Sequence, residues 1–359
     1  MIEKSKRRCL VPLSALLYFP APICYPVLMI GAFFRKHPLT GFILRRVLAM
    51  IPILLITVFF FFFFMSLAPG DFYSAYYENP EIDTAVIDHY REEFGLDQPF
   101  YIQFLQWLKK VVIDHDLGMS FSYRQPIMNL IAGRMGNTLA LNFFSLLFSY
   151  VFAYPIAFYF AYKPSRRLEQ TVNFTTLILY SVPSFFLALL GLLIAAKTGL
   201  FPLSGATSAN YDSLNFFGRA ADRLHHMILP VLVGFIGGIA GSIRSMKVLL
   251  QEEFNKPYVT AVKARGIGGV GVIKHAFRNA LIPFITDMSG ILAGLISGSL
   301  FTEIIFGYPG IGRLMYEATL RQDYYLVLTN MIMSDILVLG GILISDLLLA
   351  AADPRVRIK

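Results

Sequence analysis

Six stretches of this 359-residue chain are each long and apolar enough to cross a lipid bilayer, and this limits the fold more than any motif does. A membrane-spanning helix needs roughly 20 mainly apolar residues. Irregular backbone exposed to hydrocarbon would leave its N–H and C=O groups unsatisfied, so helices are the economical solution. The stretches are Phe42–Leu67, Thr138–Tyr162, Thr171–Ala196, Met227–Leu250, Pro283–Phe306 and Tyr325–Ala351. Hydrophobic residues make up 56% of the chain and charged ones only 15%, too few to coat a soluble core of this size. The expected fold is an all-α polytopic membrane protein.

The net charge of +8 is unevenly placed. Arg45 and Arg46 open the first span, and Lys163, Arg166 and Arg167 fill the second-to-third connection. Arg244, Lys247, Lys256, Lys263, Arg265, Lys274 and Arg278 crowd the fourth-to-fifth connection, and Arg355, Arg357 and Lys359 close the chain. The first-to-second loop, Ala68–Asn137, holds ten Asp/Glu against five Lys/Arg. Basic loops stay on the cytoplasmic side, so both termini are expected inside and residues 68–137 outside. The same distribution argues against nucleic acid as a partner. Cys9 and Cys24, the only cysteines, give no disulfide framework and leave the redox compartment open.

Within the first span, Phe59–Phe64 is an unbroken run of phenylalanines without helical periodicity, which marks a helix apolar on every side. A lipid-facing wall is the expectation, in preference to an aromatic cage. In the external loop, AVIDHYREEFG and FYIQFLQWLKKVV have helical spacing, with Pro99 at the start of the second. The loop reads as a small external helical subdomain for docking or capping. His89 and His115 lack compact ligand spacing and read as solvated helix positions rather than metal ligands. Residues 1–41 form an N-terminal apolar extension whose Pro12, Pro20, Pro22 and Pro26 break a continuous helix. With basic residues on both sides, it reads as re-entrant or interfacial; a cleaved signal peptide would contradict the Arg45/Arg46 orientation.

Several chemistries are missing. There is no G-x-x-x-x-G-K-[ST] loop, H-E-x-x-H, C-x-x-C or G-x-S-x-G. Gly266-Ile-Gly268-Gly269-Val-Gly271 matches G-x-G-x-x-G, but that fingerprint needs a preceding strand, and helical period precedes it here. The glycines read as a break between two helices. Asp287, Asp335 and Asp346 lie within spans, where ionisable groups are costly and suggest function. An ion-coupled carrier would use them as a relay. The preferred expectation is that each faces the bundle interior against neighbouring polar groups, without an intramembrane Lys or Arg partner.

Residues 251–283 are the most distinctive cytoplasmic segment. Tyr258, Ala261, Val262 and Arg265 fall on one helical face; after the glycine break, Ile273, Ala276, Phe277, Ala280 and Leu281 form a second stripe, with Lys274 and Arg278 opposite. Pro283 starts or kinks the following span. An amphipathic helix joined to a transmembrane helix can lie in a partner's groove and transmit its movement. A charged helix that merely anchors the bundle is the alternative.

The chain resembles the inner-membrane permease subunits of binding-protein-dependent ABC importers in the dipeptide/oligopeptide/nickel branch. The resemblance covers residues 42–359. It rests on LRR...P...LAPGD (Leu44–Asp71), FGLDQP (Phe94–Pro99), DLGMS (Asp116–Ser120), SVPSFF (Ser181–Phe186), GLFPLSG (Gly199–Gly205), RNALIP (Arg278–Pro283), FGYPGIGRL (Phe306–Leu314) and DPRVR (Asp353–Arg357), in this order. It implies a six-span type I permease bundle: the first span at 42–67, the external loop at 68–137 and a core of five spans at 138–359. In that family the fourth-to-fifth loop docks into an ATP-binding subunit through a Glu-Ala-Ala motif followed by glycine. Carried over, Thr260-Ala261-Val262 stands at Glu-Ala-Ala and Gly266 is the glycine, so the glutamate is absent, and Pro283 lies further on than in the general motif. The implied coupling set is Tyr258, Thr260, Ala261, Val262, Arg265, Gly266, Arg278, Asn279 and Pro283.

The resemblance further implies a multi-pass permease in the bacterial inner membrane, with no catalysis and no cofactor in this chain. ATP and Mg would sit on two ABC ATPase subunits. A second homologous permease would complete the pore, and an external binding protein would deliver di- or oligopeptides, although nickel chelates are not separated from peptides by these residues. Tyr180, Pro183 and Phe186 are candidate pathway residues or lipid-facing ones. Glu303, Tyr308 and Gly310 are candidates for an external gate or for a structural turn.

Overall fold

The computed structural model describes residues 38–78, 83–162, 166–286, 290–291, 294–295 and 300–352. The N-terminal extension (apart from 38–41), Asp287 and the terminal DPRVR therefore lie outside the described residues. Twelve α-helices are defined among the described residues: α1 (Pro38–Leu67), α2 (Thr84–Glu93), α3 (Phe100–Ile113), α4 (Ile127–Tyr162), α5 (Arg166–Ser181), α6 (Ser184–Thr198), α7 (Phe216–Phe254), α8 (Pro257–Ala264), α9 (Gly269–Thr286), α10 (Leu300–Ile305), α11 (Ile311–Leu320) and α12 (Tyr324–Ala352). Among the described residues there is no strand, only an isolated bridge between Met119 and Pro126.

Among the described residues four helices are long and apolar enough to cross a membrane: Gly41–Leu67, Ile127–Phe160, Phe216–Phe254 and Tyr324–Leu349. The expected third span corrects to two helices. Gln170–Ser181 and Ser184–Thr198 meet at 86° and count as a fifth crossing only if the bent pair is taken together. Pro183 is the cause. It lacks an N–H, disfavours helical backbone in the residue before it, and sits at φ −60°, ψ 140° as the N-cap of α6. The expected fifth span, Pro283–Phe306, is covered only in pieces: α9 runs through Pro283 without stopping, and α10 is a short helix ending at Ile305.

The centre of the bundle is the α4–α7 pair, which runs parallel. Ser145 donates to the carbonyls of Leu141 (2.8 Å) and Val231 (3.4 Å), and Ser149 donates to those of Ser145 (2.8 Å) and Phe235 (3.3 Å). Apolar side chains gain little by leaving lipid for each other, so small residues and interhelical hydrogen bonds supply the contact. A Cβ at Gly234 would lie 2.5 Å from the Ser145 hydroxyl. Gly234→Ala should therefore lower stability by ~1–3 kcal/mol through overpacking. Adding Ser145→Gly should return part of that in a thermal melt; a single variant that melts like the parent would rule out this close approach.

α1 and α12 pack together in antiparallel fashion, with Arg46 bound to Asp346 at 2.6 Å and Asp335 facing the Thr57 hydroxyl. The expectation that no intramembrane cation pairs with these aspartates is thus corrected for Asp346. The phenylalanine run is also less uniform than expected. Phe59, Phe60 and Phe64 are exposed, whereas Phe61 and Phe62 are buried. Phe62 packs on Phe104 and Trp107 of α3, and Phe63 on Phe100, at ring-centroid distances of 5.6–6.2 Å. The segment between α1 and α4 accounts for the difference, because α3 lies against α1 and takes up one side of the run.

Candidate coupling surface

α7 ends at Phe254, and Pro257 then opens α8 at a position where a missing N–H costs nothing. Four residues lock the corner. Glu253, buried despite its charge, accepts from the Tyr258 hydroxyl at 2.8 Å and is paired with Lys256. Tyr258 also hydrogen-bonds Asn279 of α9. Burial and the neighbouring carboxylate raise the Tyr258 phenol above its ordinary pKa, so it stays a donor. Two residues of the predicted coupling set are thereby brought together, through a carboxylate outside that set.

The predicted faces hold in part. In α8 the residue buried within the chain is Val259, at 1% exposure, while the Tyr258/Ala261/Val262/Arg265 face stays exposed or half-buried. The reason is tertiary: α8 is oriented by the Glu253–Tyr258 contact, which turns Val259 inward. Thr260, Ala261, Lys263, Arg265 and Gly266 are exposed, and Val262 is half-buried. The helix stops on Arg265, whose N–H reaches the Ala261 carbonyl, and Gly266 follows at φ +75°, the left-handed cap that glycine adopts without steric penalty. In α9 the expected stripe is met at Ala276, Phe277 and Ala280, with Val272 added to it, Ile273 half-buried, and the Leu281 side chain outside those described. Val272, Ala276 and Ala280 are buried, Phe277 meets Phe158 at 5.3 Å, and Ala280 clusters with Ala157, Met246 and Leu250. α9 also packs on α12. A force on the exposed side of α8 is thus passed to α4, α7 and α12. Arg278 and Pro283 lie on α9 by backbone position.

At the opposite end of α4 and α7, Glu303, Tyr308 and Gly310 come together in one closed turn. Glu303 has no exposed surface; it accepts from the Thr138 hydroxyl (2.8 Å) and the Arg313 amide (2.9 Å), while Thr138 accepts from the Ile311 amide (2.7 Å). Its carboxylate thus sits at the N-terminus of α11, where the helix dipole favours negative charge. Tyr308 is buried against Leu141, Met227 and Val231. The turn is tied further by Asn137 donating to the Pro309 carbonyl (2.9 Å) and the Gly205 amide to the Phe306 carbonyl (2.9 Å). Ser120 and the Ser122 amide both donate to buried Asp323, and Tyr123 donates to Glu317, so the segment before α4 is fastened to the same block. Burial opposes the charge on Glu317, yet the Tyr123 and Arg313 hydrogen bonds outweigh it and hold the carboxyl below its ordinary pKa.

Tyr180, Pro183 and Phe186 do not converge. Tyr180 is 73% exposed and lines a groove of about 680 Å³ between α5 and α7 with Arg244 and Gln251, while Phe186 lies beyond the bend on α6. Sequence reasoning missed Glu253, Thr138 and Asp323. Glu253 had a usable signal, a carboxylate within one and a half turns of Tyr258. Thr138 and Glu303 are separated by 165 positions, and nothing local joins them.

A bundle of long apolar helices that presents a rigidly anchored exposed helix, and has no nucleotide loop of its own, has the make-up of the membrane part of a transport system driven from other subunits. Residues 153–358 match the binding-protein-dependent transport system inner membrane component family, and residues 39–142 match the N-terminal family of the same membrane components. The chain belongs to this family of ABC importer permeases, with its type I permease fold. It is 33% identical to the oligopeptide transport system permease protein AppB of Bacillus subtilis (strain 168) over 321 residues, covering 89% of this chain and 99% of AppB. It is 30% identical to the inner membrane ABC transporter permease protein YejB of Escherichia coli O157:H7 over 288 residues, 79% of each. The protein is a multi-pass transport subunit of the inner membrane, working with partners of the ABC transporter kind, an ATPase and a substrate-binding protein.

Proposed function

We propose that this permease carries di- or oligopeptides, delivered by an external binding protein, across the inner membrane with both of its termini in the cytoplasm. One second homologous permease completes the pore, and two ATPase subunits hold the ATP and Mg and perform the hydrolysis; this chain holds no cofactor. The observation that carries the coupling role is α8. Its Thr260, Ala261, Arg265 and Gly266 side is exposed, while Glu253, Tyr258 and Asn279 fix it to α7 and α9. Small residues there allow a partner's backbone to approach closely. Arg278 and Pro283 continue the lever along α9. Closure of the ATPases would shift the bundle between two states that ATP and the loaded binding protein favour differently. Tyr180, Pro183 and Phe186 border the pathway at the bend, and Glu303, Tyr308 and Gly310 brace its outer mouth. The relatives' peptide names support the substrate class.

A single cysteine at Thr260 should cross-link to the ATPase subunit in membranes, with the yield changing on ATP addition; a cysteine reachable only by water-soluble reagent, with no cross-link, would overturn the docking role. An ion-coupled carrier is disfavoured by Asp346, which Arg46 already neutralises. Asp287→Asn, Asp335→Asn and Asp346→Asn together should leave most ATP-driven uptake in proteoliposomes. Complete loss of uptake with normal ATPase activity would bring the carrier reading back.

A further inference from the structure

The segment before α4 encloses a cavity of about 410 Å³, within the size range of small-ligand sites (~300–1,000 Å³). Its floor is Ile87 and Phe121, both buried. Phe121 stacks on Phe72 at 5.4 Å and meets Phe94 edge-on at 5.0 Å, and Tyr73 lies parallel to Tyr90 at 6.0 Å. Such faces and edges suit a ring or a branched apolar group. At the rim stands Arg124, exposed, whose guanidinium has no ion-pair or hydrogen-bond partner among the described residues. Its backbone is held at φ +51°, sparsely populated for a residue with a side chain, and its N–H donates a hydrogen bond to the Ser120 carbonyl at 2.9 Å. Ser120 is in turn fastened to Asp323, so the cation is held on a braced loop. Tyr73 is pushed up to about 12 by burial and by its neighbours Tyr90, Tyr76 and Glu93, with Arg124 acting in the opposite sense; its hydroxyl therefore remains a donor.

We infer that this cavity binds the C-terminal residue of a short peptide, its aromatic or large aliphatic side chain among the rings and its α-carboxylate on Arg124. This rests on the proposed peptide substrate. A chain-terminal residue carries both an apolar side chain and a free carboxylate on one Cα, matching an apolar cavity beside which Arg124 stands without an ion-pair partner among the described residues. An internal anchor of a folded protein would have to supply the two groups from separate residues. The site adds selectivity at the permease itself, before the translocation pathway.

The test uses the full-length chain with its partner permease in nanodiscs and calorimetric titration of Ala-Phe, Ala-Phe-amide and Ala-Ala. Ala-Phe should bind. The amide should bind at least about tenfold more weakly, the scale of one lost charge-assisted hydrogen bond, and Ala-Ala should be weaker too. Arg124→Asn, a residue suited to the left-handed backbone, should weaken Ala-Phe to the level of the amide and leave the amide unchanged, which also shows that the variant is folded. Val86→Trp, at a half-exposed rim position, should fill the cavity and abolish binding. The proposal is overturned if Arg124→Asn keeps the preference for the free carboxylate, or if Val86→Trp still binds Ala-Phe. It is equally overturned if no dipeptide binds while the binding protein docks in a Val86→Trp-sensitive manner. Peptide uptake by the complete transporter is measured in parallel. Uptake without binding at the cavity overturns the cavity alone, whereas absence of any peptide uptake overturns the transport reading.

Discussion

Gly266→Asp is expected to abolish ATP-driven uptake, and stimulation of the ATPase by loaded binding protein, while the protein still inserts at its normal level. The position separates folding from coupling unusually well. Its φ of +75° is left-handed, a region that Asp and Asn enter more readily than other side chains, so the backbone cost is small. A Cβ there meets nothing within 4 Å in this chain, so no internal clash follows. What changes is the exposed surface: a carboxylate now projects from the turn that closes α8. If that turn seats in the ATPase, the seat is lost; if it only faces water, transport continues. Gly266→Asn carries the same bulk without charge and should retain more uptake than the aspartate. Undiminished uptake in both would remove α8 from the coupling path.

Gly310→Ala should be the most destabilising single methyl addition at the opposite end. A Cβ there would stand 2.3 Å from the Glu303 carboxyl carbon and 2.4 Å from both of its oxygens. The carboxylate would have to leave the N-terminus of α11, stranding the Thr138 hydroxyl and the Arg313 amide in a buried site. Hydrogen bonds to charged groups are worth ~1.5–3 kcal/mol each, so a loss of about 3–6 kcal/mol is expected in a thermal melt of the purified protein. Gly312→Ala, with 3.1 Å to the same carboxylate, should cost distinctly less. Equal melting temperatures for Gly310→Ala and the parent would mean that Glu303 does not hold this turn.

Much of the fold was legible because its signals are local. Apolar length marked the spans, Pro99 opened α3, and the Gly266 break separated α8 from α9 where helical period gave way to a turn. The stripe of Ala276, Phe277 and Ala280 was readable from spacing alone. The 86° bend at Pro183 was half-legible: a proline at mid-span signals distortion, but its angle is set by what the two pieces pack against. The inward turn of Val259 was not legible, since the Glu253–Tyr258–Asn279 contact that orients α8 joins three helices. The phenylalanine run looked the same on every side until α3 covered one of them.

By itself, then, the sequence determined the class: an all-α, multi-pass permease with a basic helix–glycine–helix segment, since hydropathy, period and turn residues act over a few neighbouring positions. Only the tertiary structure decided which charges are answered and which stay free. Arg46 reaches Asp346, Thr138 reaches Glu303 and Ser120 reaches Asp323 across 165 to 300 positions of chain, while Arg124 is left at the mouth of an aromatic cavity with no partner among the described residues. Pairings of that kind depend on the path of the whole backbone, because a side chain's charge is satisfied by what folding brings beside it.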